Sequence, residues 1–202
     1  MSRLEFSIRC GRIIAQFHER DHRRGVAFPE VNWPAVVAAV LPQLNDLSAA
    51  DRVEFIFRQM QTGRTVRLFD GSAAPLRQLR DKGCLLGIAS NAQAYTLREL
   101  GEQLAAHDLS LEIFDPQLCL WSFQNGFSKP NPHVFQILTA RLEQRGIAAS
   151  EALVVGDRLD NDIQPAEKFG FQVWQLADQS SGESNGGNWQ QFAEWMDSQI
   201  TD

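Results

Sequence analysis

A short apolar segment followed by three carboxylates contains the residues of this sequence best suited to chemistry. Residues 152–155 are apolar, Gly156 ends the run, and Asp157, Asp160 and Asp162 follow within six residues. A buried strand that stops at a glycine places such acids at the carboxyl end of a sheet, where open α/β folds hold their ligands. Clustered carboxylates there indicate a hard cation, with Mg²⁺ the first candidate. The plainer alternative is a solvated acidic turn that caps the next helix.

Two other predicted element ends carry polar side chains. Ser90 and Asn91 directly follow an apolar run and precede a helical pattern, a position suited to holding an anion. Lys129 lies between Ser128 and Pro130 at the start of another predicted helix, where prolines restrict the backbone. A hydroxyl for a phosphate oxygen, an ammonium for developing charge and a carboxylate for Mg²⁺ are the groups that phosphoryl transfer needs. Taken singly, the same residues also fit a helix cap, a surface charge and a turn.

The elements that must position these groups alternate along the chain. After residue 63, short apolar runs alternate with helical patterns, which predicts βαβ units and a Rossmann-like parallel sheet flanked by helices, an α/β fold. The predicted strands are 84–89, 118–121, 153–155 and 171–174. A predicted helix, 76–82, precedes the first strand, and helices 94–105, 132–145 and 163–169 lie between successive strands. Before residue 63, three amphipathic patterns predict a small all-helical unit with helices over 4–24, 33–41 and 49–61.

The end of the sequence differs in composition from the rest. Residues 178–188 are rich in serine and glycine, which predicts a flexible linker. Trp189, Phe192, Trp195 and Met196 then have helical spacing, which favours a helix that packs on the body of the protein. The predicted units are therefore 1–63, 64–178 and 179–202.

Composition excludes several classes of function. The 202 residues carry a net charge of -6 and no basic run beyond residues 22–24, so neither nucleic acid nor a membrane is an expected partner. No apolar run approaches the roughly 20 residues that span a bilayer. The first residues lack the apolar core of a signal peptide, which makes the cytoplasm the default location. Cys10, Cys84 and Cys119 are expected to be buried, reduced thiols. Oligomeric state is left open.

One motif in the first predicted helix points to a different chemistry. His18, Glu19 and His22 fit HExxH, in which two histidines bind zinc beside a general-base glutamate. The surrounding charges place this segment at the solvated end of a helix. We therefore expect no zinc site.

Three segments together resemble a known family. GIASN ending at Asn91, SKPNPHVF around Lys129 and VVGDRLDND around Asp157 resemble the second, third and fourth motifs of the haloacid dehalogenase-like (HAD) hydrolase superfamily. The resemblance covers about residues 64–178. It implies that residues 1–63 form part of the helical cap that many members insert after their first strand.

The resemblance also implies a role for each motif residue. Ser90 would bond a phosphate oxygen, with Asn91 as a weaker candidate, and Lys129 would hold the nucleophile and its phosphoryl adduct. Asp157 would bind Mg²⁺, and Asp162 would support Lys129 or a metal-bound water. The implied partner is a small phosphorylated substrate. The implied reaction is phosphomonoester hydrolysis through an aspartyl-phosphate.

The first motif of the family, a strand followed by DxDx[TV], is not found. The nearest sequence is residues 66–72, in which Asp70 is followed by glycine and serine; we interpret it as the linker that returns from cap to core. In the family this strand is central, so without it two apolar strand edges would be unpaired. Three explanations stand open: the sequence begins late, the truncation is real and only binding is retained, or a second polypeptide or copy supplies the strand.

The functional expectation is therefore a Mg²⁺-dependent phosphatase by descent that is inactive as the 202-residue chain because its nucleophile is missing. A first alternative is a catalytically dead phosphate-binding or regulatory module. A second is a metal-independent 2-haloacid dehalogenase, against which Asp157 at the metal position argues.

Overall fold

The computed structural model describes residues 1–61, 66–177 and 185–199. The chain forms an α/β structure in which every pair of neighbouring strands is parallel. The helices are α1 (Arg3–Arg23), α2 (Trp33–Val40), α3 (Ala49–Gln61), α4 (Ala73–Asp81), α5 (Ala94–Ala105), α6 (Ser122–Asn125), α7 (Pro132–Glu143), α8 (Gln164–Lys168) and α9 (Trp189–Gln199). The strands are β1 (Leu86–Ser90), β2 (Phe114–Trp121), β3 (Leu153–Gly156), β4 (Gln172–Leu176) and β5 (Gly186–Gly187).

The first three helices form where capping and apolar spacing predict them. The Ser2 hydroxyl accepts a hydrogen bond from the Glu5 amide and begins α1, and Asn32 caps α2 by accepting from Ala35 N–H. The inner face of α1 packs around the buried side chain of Cys10 against α2. Burial of this apolar stripe, more than helix propensity, stabilises the pair.

The strands form two separate parallel groups. β1 pairs with β2, so that Ser90 lies opposite Trp121, while β3 pairs with β4 and β4 with β5. Among the described residues, β1 and β3 each have one strand neighbour, which leaves one edge of each unpaired. Three of the four predicted strands both begin and end within two residues of their predicted bounds.

Two predictions about element bounds are wrong. β2 begins at Phe114, four residues before the predicted start, and contains Pro116; a proline is tolerated because β2 lies at a sheet edge. Part of the predicted linker also joins the sheet, since Gly186 and Gly187 pair in parallel with β4. Residues 178–184 of that linker lie outside the described residues. The two glycines are paired because the chain must run beside β4 to reach α9.

Helices cover both faces of the strands. Phe135 and Leu138 of α7 pack with Leu118 and Phe171 on one face. Phe192 and Met196 of α9 pack on Trp174 of β4 on the other face, with ring centroids of Trp174 and Phe192 5.5 Å apart. The C-terminal segment is thus a packing helix, as its spacing predicts.

The thiols differ from expectation at one position. Cys10 is buried and Cys119 half-buried, but Cys84 is exposed because it lies in the turn before β1. All three are free. In the described ranges no helix is long and apolar enough to cross a membrane.

Removal of the Phe192 side chain tests the packing of α9. Phe192 is 2% exposed, so Phe192→Ala should lower the free energy of unfolding by about 3–5 kcal/mol in urea denaturation. Gln190→Ala on the exposed face of the same helix is the matched control and should change it by less than about 0.5 kcal/mol. Equal effects of the two substitutions would contradict the assigned packing.

Candidate active site

An ion pair between Lys129 and Asp162 lies at the centre of the candidate site. Lys129 Nζ donates to Asp162 Oδ1 at 2.5 Å, and the two side chains are 16% and 8% exposed. The second carboxylate oxygen of Asp162 accepts from the Arg158 amide at 3.0 Å. Two predicted site residues from segments 33 residues apart are thus in direct contact.

Gly156 makes room for Asp162. A Cβ added at Gly156 would lie 2.7 Å from Asp162 Cγ and 2.9 Å from Oδ2, closer than real Cβ contacts permit. The backbone between the two residues enters a π-helical turn, Leu159–Ile163, which turns Asp162 back toward the end of β3. The glycine that ends the strand is therefore required by the carboxylate six positions later.

Asn91 fixes the main chain of Lys129. Its Nδ2 donates to the Lys129 carbonyl at 2.9 Å, and its Oδ1 accepts from the Lys129 amide at 2.7 Å. The peptide bond between Lys129 and Pro130 is cis. In this structure the Asn91 side chain therefore positions the lysine loop against the end of β1, a task that the sequence prediction of phosphate binding did not include.

Ser90 lies at the last position of β1, half-buried. The loop that follows it is attached to β2 by Ser122, whose hydroxyl donates to the Ala92 carbonyl at 3.1 Å and accepts from the Ala92 amide at 2.8 Å. Ser122 is 1% exposed. Ser122 is not among the predicted site residues, although its hydroxyl directly follows the predicted strand 118–121.

The three carboxylates of the acidic loop after β3 have different surroundings. Asp160 forms a two-point pair with the exposed Arg158, which is the main reason that the pKa of Asp160 is lowered and that of Arg158 raised. Asp162 faces Lys129. Asp157 is exposed, and within the described residues its carboxylate accepts no hydrogen bond.

Asp157 is the residue that the sequence predicts to hold Mg²⁺. The described part of the chain contains no group of three His, Cys, Asp or Glu side chains placed to hold a metal. Mg²⁺ at phosphoryl-transfer sites commonly takes one or two carboxylates and completes its shell with water and substrate phosphate. Asp157 is a free carboxylate at the end of β3, on the same loop as Asp162, whose carboxylate pairs with Lys129. One free carboxylate fits such a partial ligand set.

Segment 28–31, which joins α1 to α2, contacts the two loops that carry the candidate site. The amide of Glu30 donates to the Gly126 carbonyl, and the amide of Ser128 donates to Phe28. Gln93 Nε2 donates to Glu30 Oε1 at 3.0 Å and to the Val31 carbonyl at 2.7 Å. No sequence signal links Gln93 to Glu30, since 63 residues separate them.

A polar cavity of about 370 Å³ lies at this junction. Asn91 and Ser128 line it from the core, and Glu30 from the N-terminal unit. Tyr95 also lines it, and burial, helped by the charges of Glu99 and Glu30, raises the pKa of its phenol. Tyr95 is therefore neutral at physiological pH and available as a hydrogen-bond donor.

A second cavity, of about 670 Å³, lies between the unpaired edges of β1 and β3. Lys129 and Asp162 line it together with consecutive residues of both strands. Asp70 lines neither cavity and lies in an exposed turn before α4. Its surroundings agree with the interpretation of this segment as a connection between the helical unit and the core.

The HExxH motif lies in the C-terminal part of α1. His22 Nδ1 bonds the Val26 carbonyl at 2.9 Å, and the His18 and His22 ring centroids are 6.3 Å apart. Neither residue belongs to a metal-ligand group within the described ranges.

Comparison with known proteins identifies the family. The model of the haloacid dehalogenase-like hydrolases matches residues 15–170, well over half of the chain. This protein therefore belongs to the haloacid dehalogenase-like hydrolases, which confirms the resemblance seen in the three motifs.

One relative of this chain is a phosphatase. The glyceraldehyde 3-phosphate phosphatase of Methanopyrus kandleri is 36% identical over 96 residues, which are 48% of this chain and 37% of the relative. The chain thus spans little more than a third of that protein.

Solved structures resemble the chain over a longer range. A 2-haloacid dehalogenase from Pseudomonas syringae pv. tomato DC3000 has a TM-score of 0.62 and 19% identity, covering 99% of this chain and 83% of its own. A HAD family enzyme from Bacteroides thetaiotaomicron, in complex with magnesium and inorganic phosphate, has a TM-score of 0.53 and 16% identity, covering 74% and 72%. At these identities the likeness establishes the fold.

Substitution of Gly156 tests whether Asp162 needs a glycine at this position. Gly156→Ala should lower the free energy of unfolding by about 1–3 kcal/mol, because the added methyl group overlaps Asp162. Gly11→Ala in α1 is the control: nothing lies within 4 Å of its added Cβ, so helix propensity should stabilise the chain by up to about 1 kcal/mol. Urea denaturation measures both, and a neutral Gly156→Ala would contradict the proposed clash.

A double-mutant cycle tests the Lys129–Asp162 pair. Lys129→Met leaves the 8% exposed Asp162 carboxylate without its cation and should cost about 3 kcal/mol of unfolding free energy. Adding Asp162→Asn should recover much of that loss, since no uncompensated charge is then buried. Strictly additive energies in urea denaturation at neutral pH would show that the two side chains do not interact.

Proposed function

We propose that this chain carries the phosphate and Mg²⁺ side of a phosphomonoester hydrolase site. The observation that carries the proposal is the convergence of Asn91, Lys129 and Asp162 from three separate segments. Ser90 directly precedes Asn91 at the end of β1, and Asp157 directly follows the end of β3. A hydroxyl, an ammonium and a free carboxylate together match a phosphoryl group and its metal better than any single anion site would.

Each residue has a defined task in this proposal. The Ser90 hydroxyl donates to a phosphate oxygen, and Lys129 neutralises charge on the phosphoryl group. Asp162 holds the Lys129 ammonium in place through the 2.5 Å bond, and Asn91 holds the lysine backbone. Asp157 would hold Mg²⁺, which supplies electrostatic stabilisation of phosphoryl oxygens when bound. The Bacteroides thetaiotaomicron enzyme of the same fold, whose structure contains magnesium and inorganic phosphate, supports this assignment.

The nucleophile is the group that the described residues do not place. Family resemblance implies an aspartate at the end of a further strand, and no described aspartate other than Asp162 lines the cavity beside Lys129. Asp162 is already paired with the lysine. We infer that the 202-residue chain binds a phosphoryl group without hydrolysing it.

The substrate class follows from the polar cavity at the junction of core and N-terminal unit. A cavity of about 370 Å³ lined by Glu30, Tyr95 and Ser128 fits a small leaving group with hydroxyl groups. The Methanopyrus kandleri relative, a glyceraldehyde 3-phosphate phosphatase, supports a small phosphorylated metabolite. This assignment treats residues 1–63 as part of the cap that covers the site.

Two other functions predict different results. A catalytically dead phosphate-binding or regulatory module would bind phosphate but show no turnover even in a longer chain that contains the first motif. A metal-independent 2-haloacid dehalogenase, favoured by the fold likeness to the Pseudomonas syringae protein, would act on 2-chloropropionate in the presence of EDTA.

Calorimetric titration with inorganic phosphate tests the binding site. Phosphate should bind in the presence of Mg²⁺, and Asp157→Asn should remove the Mg²⁺ dependence while leaving the fold intact. Asp160→Asn is the matched control, because Asp160 pairs with Arg158 and should leave the Mg²⁺ dependence unchanged. Phosphate binding that is identical with and without Mg²⁺ would contradict the role of Asp157.

Turnover of p-nitrophenyl phosphate tests the missing nucleophile. The 202-residue chain should show no hydrolysis above background in Mg²⁺. Clear Mg²⁺-dependent hydrolysis that Asp70→Asn abolishes would overturn this inference and identify Asp70 as the nucleophile.

A further inference from the structure

Glu30 carries the single negative charge among the described residues that line the polar cavity. The other described lining residues are apolar or bear hydroxyl or amide groups, and none of them is a lysine, arginine or histidine. In a partly enclosed cavity such a carboxylate attracts a cation and repels a second anion. The cavity therefore has the opposite charge preference to the adjoining phosphate site, which contains the Lys129 ammonium.

The main chain of Glu30 is fixed to the loop that leads to Lys129. Segments 28–30 and 126–128 form an antiparallel bridge with main-chain hydrogen bonds of 3.0 and 2.9 Å. Ser128, which also lines the cavity, directly precedes Lys129 in the chain. Hydrogen bonds between backbones thus set the position of the glutamate relative to the lysine.

One oxygen of the Glu30 carboxylate is held by the protein. Oε1 accepts from the Val31 amide at 2.7 Å and from Gln93 Nε2 at 3.0 Å, which fixes the orientation of the carboxylate. Within the described residues, Oε2 accepts no hydrogen bond and the carboxylate forms no ion pair. A pre-oriented carboxylate oxygen without a partner is a strong acceptor for a charged donor.

Hydroxyl groups supply further acceptors beside this carboxylate. The side chains of Tyr95, Thr96 and Ser128 line the same cavity. The amides of Asn91 and Gln93, in contrast, already bond the main chain of Lys129 and segment 30–31. An ammonium group donates three hydrogen bonds and accepts none, so it matches a carboxylate oxygen surrounded by hydroxyl oxygens.

We propose that the polar cavity binds the ammonium group of a small phosphorylated amino alcohol. The inference rests on the proposed function, which places the phosphoryl group at Ser90 and Lys129. Asn91 and Ser128 line the cavity and are the chain neighbours of those two residues, so a short carbon linker joins the phosphoryl group to an amine that donates to Glu30. The same carboxylate disfavours a leaving group that carries a carboxylate or a second phosphate.

Calorimetric titration of the 202-residue chain in Mg²⁺ with matched phosphomonoesters tests the charge preference. The probes are 2-aminoethyl phosphate, ethyl phosphate and phosphoglycolate, which share a short linker and carry a cation, no further charge and an anion. 2-Aminoethyl phosphate should bind at least about tenfold more tightly than ethyl phosphate, because its ammonium gains a hydrogen-bonded ion pair. Phosphoglycolate should bind about threefold or more weakly than ethyl phosphate, because its carboxylate meets a like charge.

Glu30→Gln tests the assigned acceptor. Glutamine keeps the oxygen that the Val31 amide and Gln93 hold but removes the charge. The advantage of 2-aminoethyl phosphate should fall to about twofold or less, while the affinity for ethyl phosphate stays within about twofold. Glu19→Gln is the matched control, because it removes a negative charge from an exposed residue of the same helical unit that lines neither cavity. This variant should keep the full advantage.

Equal binding of 2-aminoethyl phosphate and ethyl phosphate by the parent chain would overturn the inference and leave the proposed function intact. An advantage that Glu30→Gln retains in full would overturn it as well. If neither ethyl phosphate nor inorganic phosphate binds, the proposed function fails and this inference fails with it. The parent chain decides the charge preference by itself, even if the variant does not fold.

Discussion

The contact between Lys129 and Asp162 is the constraint on which the rest of the site depends. A lysine ammonium and a carboxylate that are 16% and 8% exposed are stable together because each compensates the desolvation of the other. This pair needs Gly156 without a side chain, a π-helical turn that returns Asp162 to β3, and Asn91 to hold the lysine backbone.

The same contact relates chemistry to architecture. Asn91, directly after β1, bonds the main chain of Lys129, and Asp162, on the turn after β3, bonds its side chain. Among the described residues, the two strand groups therefore come together at Lys129 without pairing with each other. Both cavities adjoin this point. Asn91 and Ser128 line the polar cavity, and Lys129 and Asp162 line the cavity between β1 and β3. The loop that carries Lys129 therefore separates the two cavities.

Local sequence predicted most of the secondary structure because its signals are short-range. Helices α1, α2, α3 and α5 have bounds within one or two residues of prediction, since caps such as Asn32 and breaks such as Gly25 act locally. The errors have tertiary causes. β2 extends back to Phe114 through Pro116 because an edge strand tolerates a proline, and Gly186–Gly187 is a strand because β4 lies beside it.

The sequence alone determined the identities and order of Ser90, Lys129, Asp157 and Asp162, and the alternation of strand and helix that brings strand ends together. The tertiary structure decided how the acids divide their tasks: Asp162 faces the lysine, Asp160 an arginine and Asp157 solvent. It also revealed the contact of Ser122 with Ala92, the contact of Gln93 with Glu30 and the cavity between β1 and β3. The physical reason is distance along the chain: periodicity reports each element, whereas a contact between residues 33 or 63 positions apart leaves no local pattern.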